Sequence, residues 1–170
     1  QSARELFAAD LASGTAAGTP AFVLAGDGPL IRGHTLDQLL HRHAEAHAAA
    51  TLATSVIADP TGYGRIVRDS NNKLAAIVEH KECTPEQLKI REVNPSYYLF
   101  DLAQLFDTLK HVGRNPQSGE YYITDVPTLL MKNGQRVEVI DAVPPEDILS
   151  INTPEQLAEV DAIYPSRHAK

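Results

Sequence analysis

Ala21-Phe22-Val23-Leu24-Ala25-Gly26-Asp27 decides how this chain is read. Five consecutive apolar residues predict a buried strand, and the run stops abruptly on Gly26-Asp27. A strand ending in Asp sets a carboxylate at the carboxyl edge of a sheet, where open α/β sheets take their ligands. The glycine lets a ligand approach the backbone. On this segment alone, a metal-ligand site and a plain turn after a strand are both open. Working outward, Ala3 to Leu11 has helical spacing, and Ala12 to Pro20 reads as a loop of small residues. Thr35 is placed to cap a helix running to about Ala48, and Leu52 to Ala58 predicts a strand. Ile66-Val67 and Leu74 to Val78 flank Asp69-Ser70-Asn71-Asn72, a hairpin signal. Thr84-Pro85-Glu86-Gln87 has the cap, proline and capping-box Gln of a helix start. Tyr97 to Phe100 predicts a strand, and Asp101 a cap for a helix through about Lys110. Tyr122 to Met131 predicts a helix with Gly134 near its end, Val137 to Ile140 a strand, and Pro154 the opening of a final helix. Strands alternating with helices argue α/β, and the hairpin makes the sheet mixed.

The 170 residues suffice for one domain with a sizeable core, and 43% hydrophobic content is ordinary for a globular chain. The single cysteine, Cys83, excludes an intramolecular disulfide and suits a reducing cytoplasm. No apolar run approaches the roughly 20 residues a bilayer span needs, and no signal-peptide pattern opens the sequence. A net charge of −7 without a basic patch argues against nucleic acid as a partner. It leaves room for phosphorylated ligands held through Mg²⁺.

Three further stretches carry chemistry. In Asp59-Pro60-Thr61-Gly62-Tyr63-Gly64-Arg65, two glycines leave backbone groups bare for a polar ligand, against the simpler reading of a tight connection. In Val78-Glu79-His80-Lys81-Glu82, Glu79 can accept from sugar hydroxyls and Lys81 can pair with a phosphate, against a solvated charge cluster. Gly119-Glu120-Tyr121-Tyr122-Ile123-Thr124-Asp125 offers a carboxylate, phenols and a hydroxyl, against a capped helix start with packing tyrosines. His43 and His47 stand at i and i+4, a metal spacing. The Glu that a zinc-protease helix puts directly after its first His comes one place later, so metal binding is not expected there. His80 is expected to hydrogen-bond locally. Gly14-Thr15-Ala16-Ala17-Gly18-Thr19 lacks the Lys of a phosphate loop and reads as a plain loop.

Taken in order, these stretches, with Glu92-Val93-Asn94 and Ile151-Asn152, resemble the bacterial N-acetylglucosamine-1-phosphate uridylyltransferase domain from about Ala21 to Ala162. The resemblance implies a Rossmann-like nucleotidyltransferase fold, a mixed sheet flanked by helices. It implies transfer of UMP from UTP to N-acetylglucosamine 1-phosphate, giving UDP-N-acetylglucosamine and pyrophosphate for cell-wall and lipopolysaccharide precursors in the cytoplasm. By the same resemblance Asp27 and Asn152 are ligands of Mg²⁺. Gly26, Gly64, Glu79, Asn94, Tyr122 and Thr124 bind substrate, with Glu120 nearby, and no protein nucleophile is needed. No nucleic acid and no membrane partner is implied. A strand edge left open without the first half of the domain is expected to pack against that half or against a second copy as a homo-oligomer, and the resemblance implies a trimer where the parent carries a left-handed β-helix domain.

The sequence departs from the family pattern at Gly28, where a bulkier residue is common. It departs again at Pro95-Ser96 in place of Thr-Gly or Ser-Ser, and at Leu149-Ser150 in place of Glu-Gly. The family's Gly-rich nucleotide loop and its Gly-Thr-Gly-His segment do not occur. Residues 1–170 are therefore expected to be the sugar- and metal-binding portion of the domain, inactive alone. Two other readings stay open, a nucleotidyltransferase for another sugar 1-phosphate and a noncatalytic sugar-nucleotide-binding fragment.

Overall fold

The computed structural model describes residues 3–168. Its spine is the ten-residue strand β5 (Glu92–Asp101). Strand β2 (Ala50–Val56) pairs antiparallel along one side of β5, from Ala50 opposite Phe100 to Val56 opposite Glu92. The other side of β5 is shared. Strand β1 (Pro20–Leu24) covers Tyr97 to Asp101, and β3 (Gly64–Arg68) covers Val93 and Asn94. Strand β4 (Leu74–Val78) folds back on β3, and β6 (Val137–Asp141) runs parallel to β2. The sheet order is β4-β3-β5-β2-β6, with β1 attached to β5 off this path.

The handover from β1 to β3 has a local cause. Pro95 has no N–H to give a ladder, and Ser96 sits at φ 64°, outside the strand region. At the same level the β2 register slips, with Ala53 opposite Tyr97 but Ser55 opposite Val93. The β5 backbone bulges there and opens a gap between the end of β1 and the start of β3.

Alternation along β5 builds two cores. Tyr98 and Phe100 join Leu52, Leu105, Val126 and Leu130 on one face. Tyr97 and Leu99 join Leu39, Ala53, Val143 and Ile148 on the other. The first face is covered by α4 (Leu102–Leu109) and α5 (Asp125–Lys132), the second by α3 (Gly33–Ala46). Asp101 caps α4 by accepting the Gln104 N–H at 2.9 Å. At the N-terminal side lie two short helices, α1 (Ala3–Leu6) and α2 (Ala8–Ser13), and the last helix is α6 (Pro154–His168). Among the described residues no helix is long and apolar enough to cross a membrane.

Several expectations are corrected. β1 is an edge segment with one neighbour among the described residues, and its residues alternate between exposed and half-buried. Its apolar run does not mark a strand covered on both sides. Thr35 does not cap α3. It lies inside the helix and its hydroxyl donates to the Ala142 carbonyl at 3.3 Å. Thr84 and Gln87 form the reciprocal bonds of a capping box, but only a three-residue 3-10 turn (Gln87–Lys89) follows. Helix α5 starts three residues later than expected, at Asp125, and its N-cap residue Thr124 bonds Glu79 with its side chain instead of capping.

Candidate functional site

The gap between β1 and β3 is the mouth of a cavity of about 330 Å³. As β1 ends, the Ala25 N–H donates to the Ser96 carbonyl at 3.2 Å, and the chain turns through Gly26-Asp27. The Asp27 carbonyl accepts the Ile151 N–H at 2.9 Å, which draws Ser150 to Asn152 against the exit of β1. Asn152 gives its N–H to Gln156 Oε1 at 2.8 Å and its Nδ2 to Ser150 Oγ at 3.1 Å. Its amide oxygen is then the atom left for a cation. Asp27 is exposed and lines the cavity with Asn152.

Gly64 opens β3 opposite Asn94. A Cβ there would stand 3.6 Å from Ile77 Cγ2 and 3.7 Å from Glu79 Oε2, ordinary contact distances, so the bare edge of Gly64 lies directly beside the carboxylate. Glu79 follows β4, and its Oε1 accepts the Thr124 hydroxyl at 2.9 Å, which leaves Oε2 on the Gly64 side. Asn94 is buried. Its Nδ2 donates to the Tyr98 phenol oxygen at 2.5 Å, and its Oδ1 accepts the Ser96 N–H at 3.2 Å. Each end of that amide keeps one further hydrogen-bonding position.

Two phenols pin the far wall. Tyr97 OH donates to the Asp147 carbonyl at 3.1 Å, and Tyr63 OH to the Ile148 carbonyl at 2.9 Å. Burial, with help from nearby Asp147, pushes the Tyr97 phenol up to about 12, so it stays a donor at any physiological pH. Asp59 holds the loop before Gly64 by accepting the Thr61 N–H at 3.1 Å. That bonding to Thr61 keeps its carboxyl below the ordinary aspartate range.

The cavity thus brings together Asp27, Gly64, Glu79, Asn94 and Asn152. Gly26 lies on the exposed turn between two lining residues, Ala25 and Asp27, and does not itself line the cavity. Thr124 stands behind Glu79. Tyr122 is outside the lining because its phenol donates to Ser118 Oγ at 2.7 Å. Lys81 is exposed and also outside it. The sequence reading missed Tyr97, Ser150 and Gln156. For Gln156 a signal existed, since Thr153-Pro154-Glu155-Gln156 is a capping-box pattern. His43 shares a bond of 3.0 Å with Thr51, and His47 ends α3 in the left-handed region. No group of three His, Cys, Asp or Glu side chains among the described residues is arranged to hold a metal.

The lining carries two carboxylates and no Lys, Arg or His. A phosphate ester can seat there only with a cation. Asp27 and Asn152 supply oxygen donors on adjoining segments, the ligand type that Mg²⁺ prefers. Such an ion keeps several waters or phosphate oxygens, so two protein ligands fit it.

The nucleotidyl transferase family model matches residues 4–144. The chain belongs to that family. It is 42% identical over 145 residues to the bifunctional protein GlmU of Clostridium botulinum (type A), covering 85% of this chain and 32% of that protein. The chain therefore spans less than half the length of the curated relatives it matches. Among solved structures it is similar to a Bacillus anthracis protein described as a glucose-1-phosphate thymidylyltransferase, with a TM-score of 0.65 at 19% identity, over 96% of this chain and 61% of that one. It is similar also to an apo UDP-glucose pyrophosphorylase, with a TM-score of 0.65 at 16% identity, over 95% and 59%. At these identities the structural likeness speaks for the fold alone.

Proposed function

We propose that the cavity is the sugar-phosphate site of a uridylyltransferase that joins UTP and N-acetylglucosamine 1-phosphate. The observation that carries this reading is the meeting of Asp27, Gly64, Glu79, Asn94 and Asn152, drawn from five separate segments, on one acidic cavity. Gly64 and Glu79 present a backbone edge and a carboxylate side by side, which suits the vicinal hydroxyls of a sugar. Asn94 offers the remaining donor and acceptor of its amide. Asp27 and Asn152 would hold Mg²⁺, which when bound neutralises phosphate oxygens and favours displacement at phosphorus.

In the reaction, a phosphate oxygen of the sugar phosphate attacks the α-phosphorus of UTP. The new P–O bond forms as the bond to pyrophosphate breaks. The residues here act by binding and orienting the attacking phosphate, and none becomes covalently attached. A second reading, another sugar 1-phosphate as acceptor, draws on Pro95. It lines the cavity and lacks the N–H that another residue would offer a ligand.

Calorimetric titration of N-acetylglucosamine 1-phosphate in the presence of Mg²⁺ tests the assignment. Glu79→Ala is expected to weaken binding about tenfold or more, the effect of losing a hydrogen bond to a charged acceptor. In a full-length parent the same change should raise the KM for the sugar phosphate and leave that for UTP nearly unchanged. Equal losses for both substrates would remove Glu79 from the sugar site.

A further inference from the structure

Arg65 is 1% exposed, the bulkiest of the fully buried side chains. It sits on β3 between Val78 of β4 and Val93 of β5. No ion pair among the described residues includes it. Its Nη1 donates to the Tyr63 carbonyl, its Nη2 contacts His80 Nδ1 at 3.3 Å, and its Nε has no partner among the described residues. An arginine does not shed its proton in a protein, so the His80 nitrogen facing it must be the acceptor, with the ring proton on Nε2. Its charge reaches the Asp59 carboxylate only at a distance; a buried cation with no carboxylate bonded to it is costly, and an apolar side chain of similar size is often as stable or more so. A charge kept in place at such a cost, beside a ligand cavity, points to a role in the site.

We propose that Arg65 is a positioning residue, a guanidinium that clasps the Thr61–Gly64 loop to the turn following Glu79 and so fixes the spacing of Gly64 and Glu79. The proposal rests on the cavity being the sugar-phosphate site. On one side, the Tyr63 carbonyl and the Gly64 N–H belong to the same trans peptide plane and point in opposite directions. The bond from Arg65 therefore sets the direction of the Gly64 N–H. On the other side, His80 opens the 3-10 turn His80–Glu82, directly after Glu79. That turn is tied back to Glu79, whose carbonyl accepts the Glu82 N–H at 2.9 Å and the Cys83 thiol at 3.4 Å. Holding the His80 ring holds the backbone that carries the Glu79 carboxylate. Neither Arg65 nor His80 lines the cavity, so both act through their neighbours.

Hydrogen–deuterium exchange on the whole chain, with Arg65→Met and His80→Phe, decides the matter. In Arg65→Met, amide exchange in 61–64 and 79–83 should rise about tenfold or more, with β2 and β5 unchanged and the thermal midpoint held or raised. His80→Phe should raise exchange in 79–83 alone, which keeps the test open if the first variant does not fold. Calorimetry with N-acetylglucosamine 1-phosphate and Mg²⁺ should show weaker binding by both variants. Unchanged exchange in the two segments overturns the clasp. So does a general rise across the sheet with a lowered midpoint and intact affinity, the mark of a merely structural arginine. If the unsubstituted chain binds no sugar phosphate, the reading of the cavity fails, and the exchange pattern still decides whether Arg65 is a clasp.

Discussion

A Cβ at Gly28 would stand 2.9 Å from the Tyr97 phenol oxygen, closer than real contacts come. The phenol cannot retreat cheaply, since it is buried and donates to the Asp147 carbonyl. This explains a departure visible in the sequence, where Gly28 replaces a bulkier residue after Asp27. The small residue makes room for the hydroxyl of Tyr97. Gly28→Ala should therefore cost about 1–2 kcal/mol by urea unfolding, the usual range for an overpacked site. In a Tyr97→Phe background the same change should cost about 1 kcal/mol less, because the phenol oxygen is gone and the remaining ring contacts are ordinary. Additive losses would show that Gly28 answers to something other than Tyr97. Pro95, the neighbouring departure, is explained in the same terms. It stands where β5 changes partner, so its missing N–H breaks no ladder bond. Neither reason could be read from the sequence, because both depend on residues that meet only in the folded chain.

At the scale of elements, the pentapeptide Thr-Pro-Glu-Gln-Leu occurs twice, at 84–88 and 153–157. Both copies make the same reciprocal cap. The Thr84 N–H reaches Gln87 Oε1 at 2.9 Å and the Gln87 N–H reaches Thr84 Oγ1 at 3.3 Å. The Thr153 and Gln156 bonds measure 3.0 Å and 3.3 Å. One copy opens a single 3-10 turn and the other a helix of 15 residues. The cap is written locally, but the length of the helix is set by the residues beyond it. After the first copy, Ile90 is already extended and leads into β5, while Val160 of the second is buried against the domain. Thr153→Ala should cost about 1 kcal/mol, the usual value of a lost cap, and Thr84→Ala half of that or less, since only one turn depends on it. Urea midpoints at constant slope check this. The same contrast shows what was legible. The β3–β4 hairpin and the α4 cap announced themselves through turn and cap residues. β5 was read as Tyr97 to Phe100 because Glu92, Asn94 and Pro95 look unlike a strand. They belong to one because β2 pairs through Glu92 while β1 gives way to β3.

For the whole molecule, while Asn94 and Asn152 rested on the family resemblance alone, Asp27 and Glu79 were legible as carboxylates closing apolar runs and Gly64 as bare backbone in a pair of glycines. Tyr122 was not, since the phenol's turn to Ser118 is a matter of local bonding. The reading of β1 failed for a related reason. An apolar run records that a strand wants covering and does not record by what. Among the described residues β1 pairs with β5 alone, Phe22 is 36% exposed and Leu24 39%. Nearby helices α1 and α2 bury only Leu11 in part, and Leu6 and Phe7 are exposed. An unpaired strand edge beside exposed apolar side chains is adhesive. Opposing this, a net charge of −7 repels a second copy, and salt screens that repulsion over about 8–10 Å at ordinary ionic strength. The balance predicts self-association that grows with protein concentration and strengthens as salt is added. In sedimentation velocity the average mass should climb above that of the monomer along both series. Phe22→Lys puts a charge on the edge, as natural edge strands do, and should hold the chain at monomer mass. A chain that stays monomeric throughout would show that the edge is protected by its own short length. Association that persists in Phe22→Lys would place the contact elsewhere on the surface.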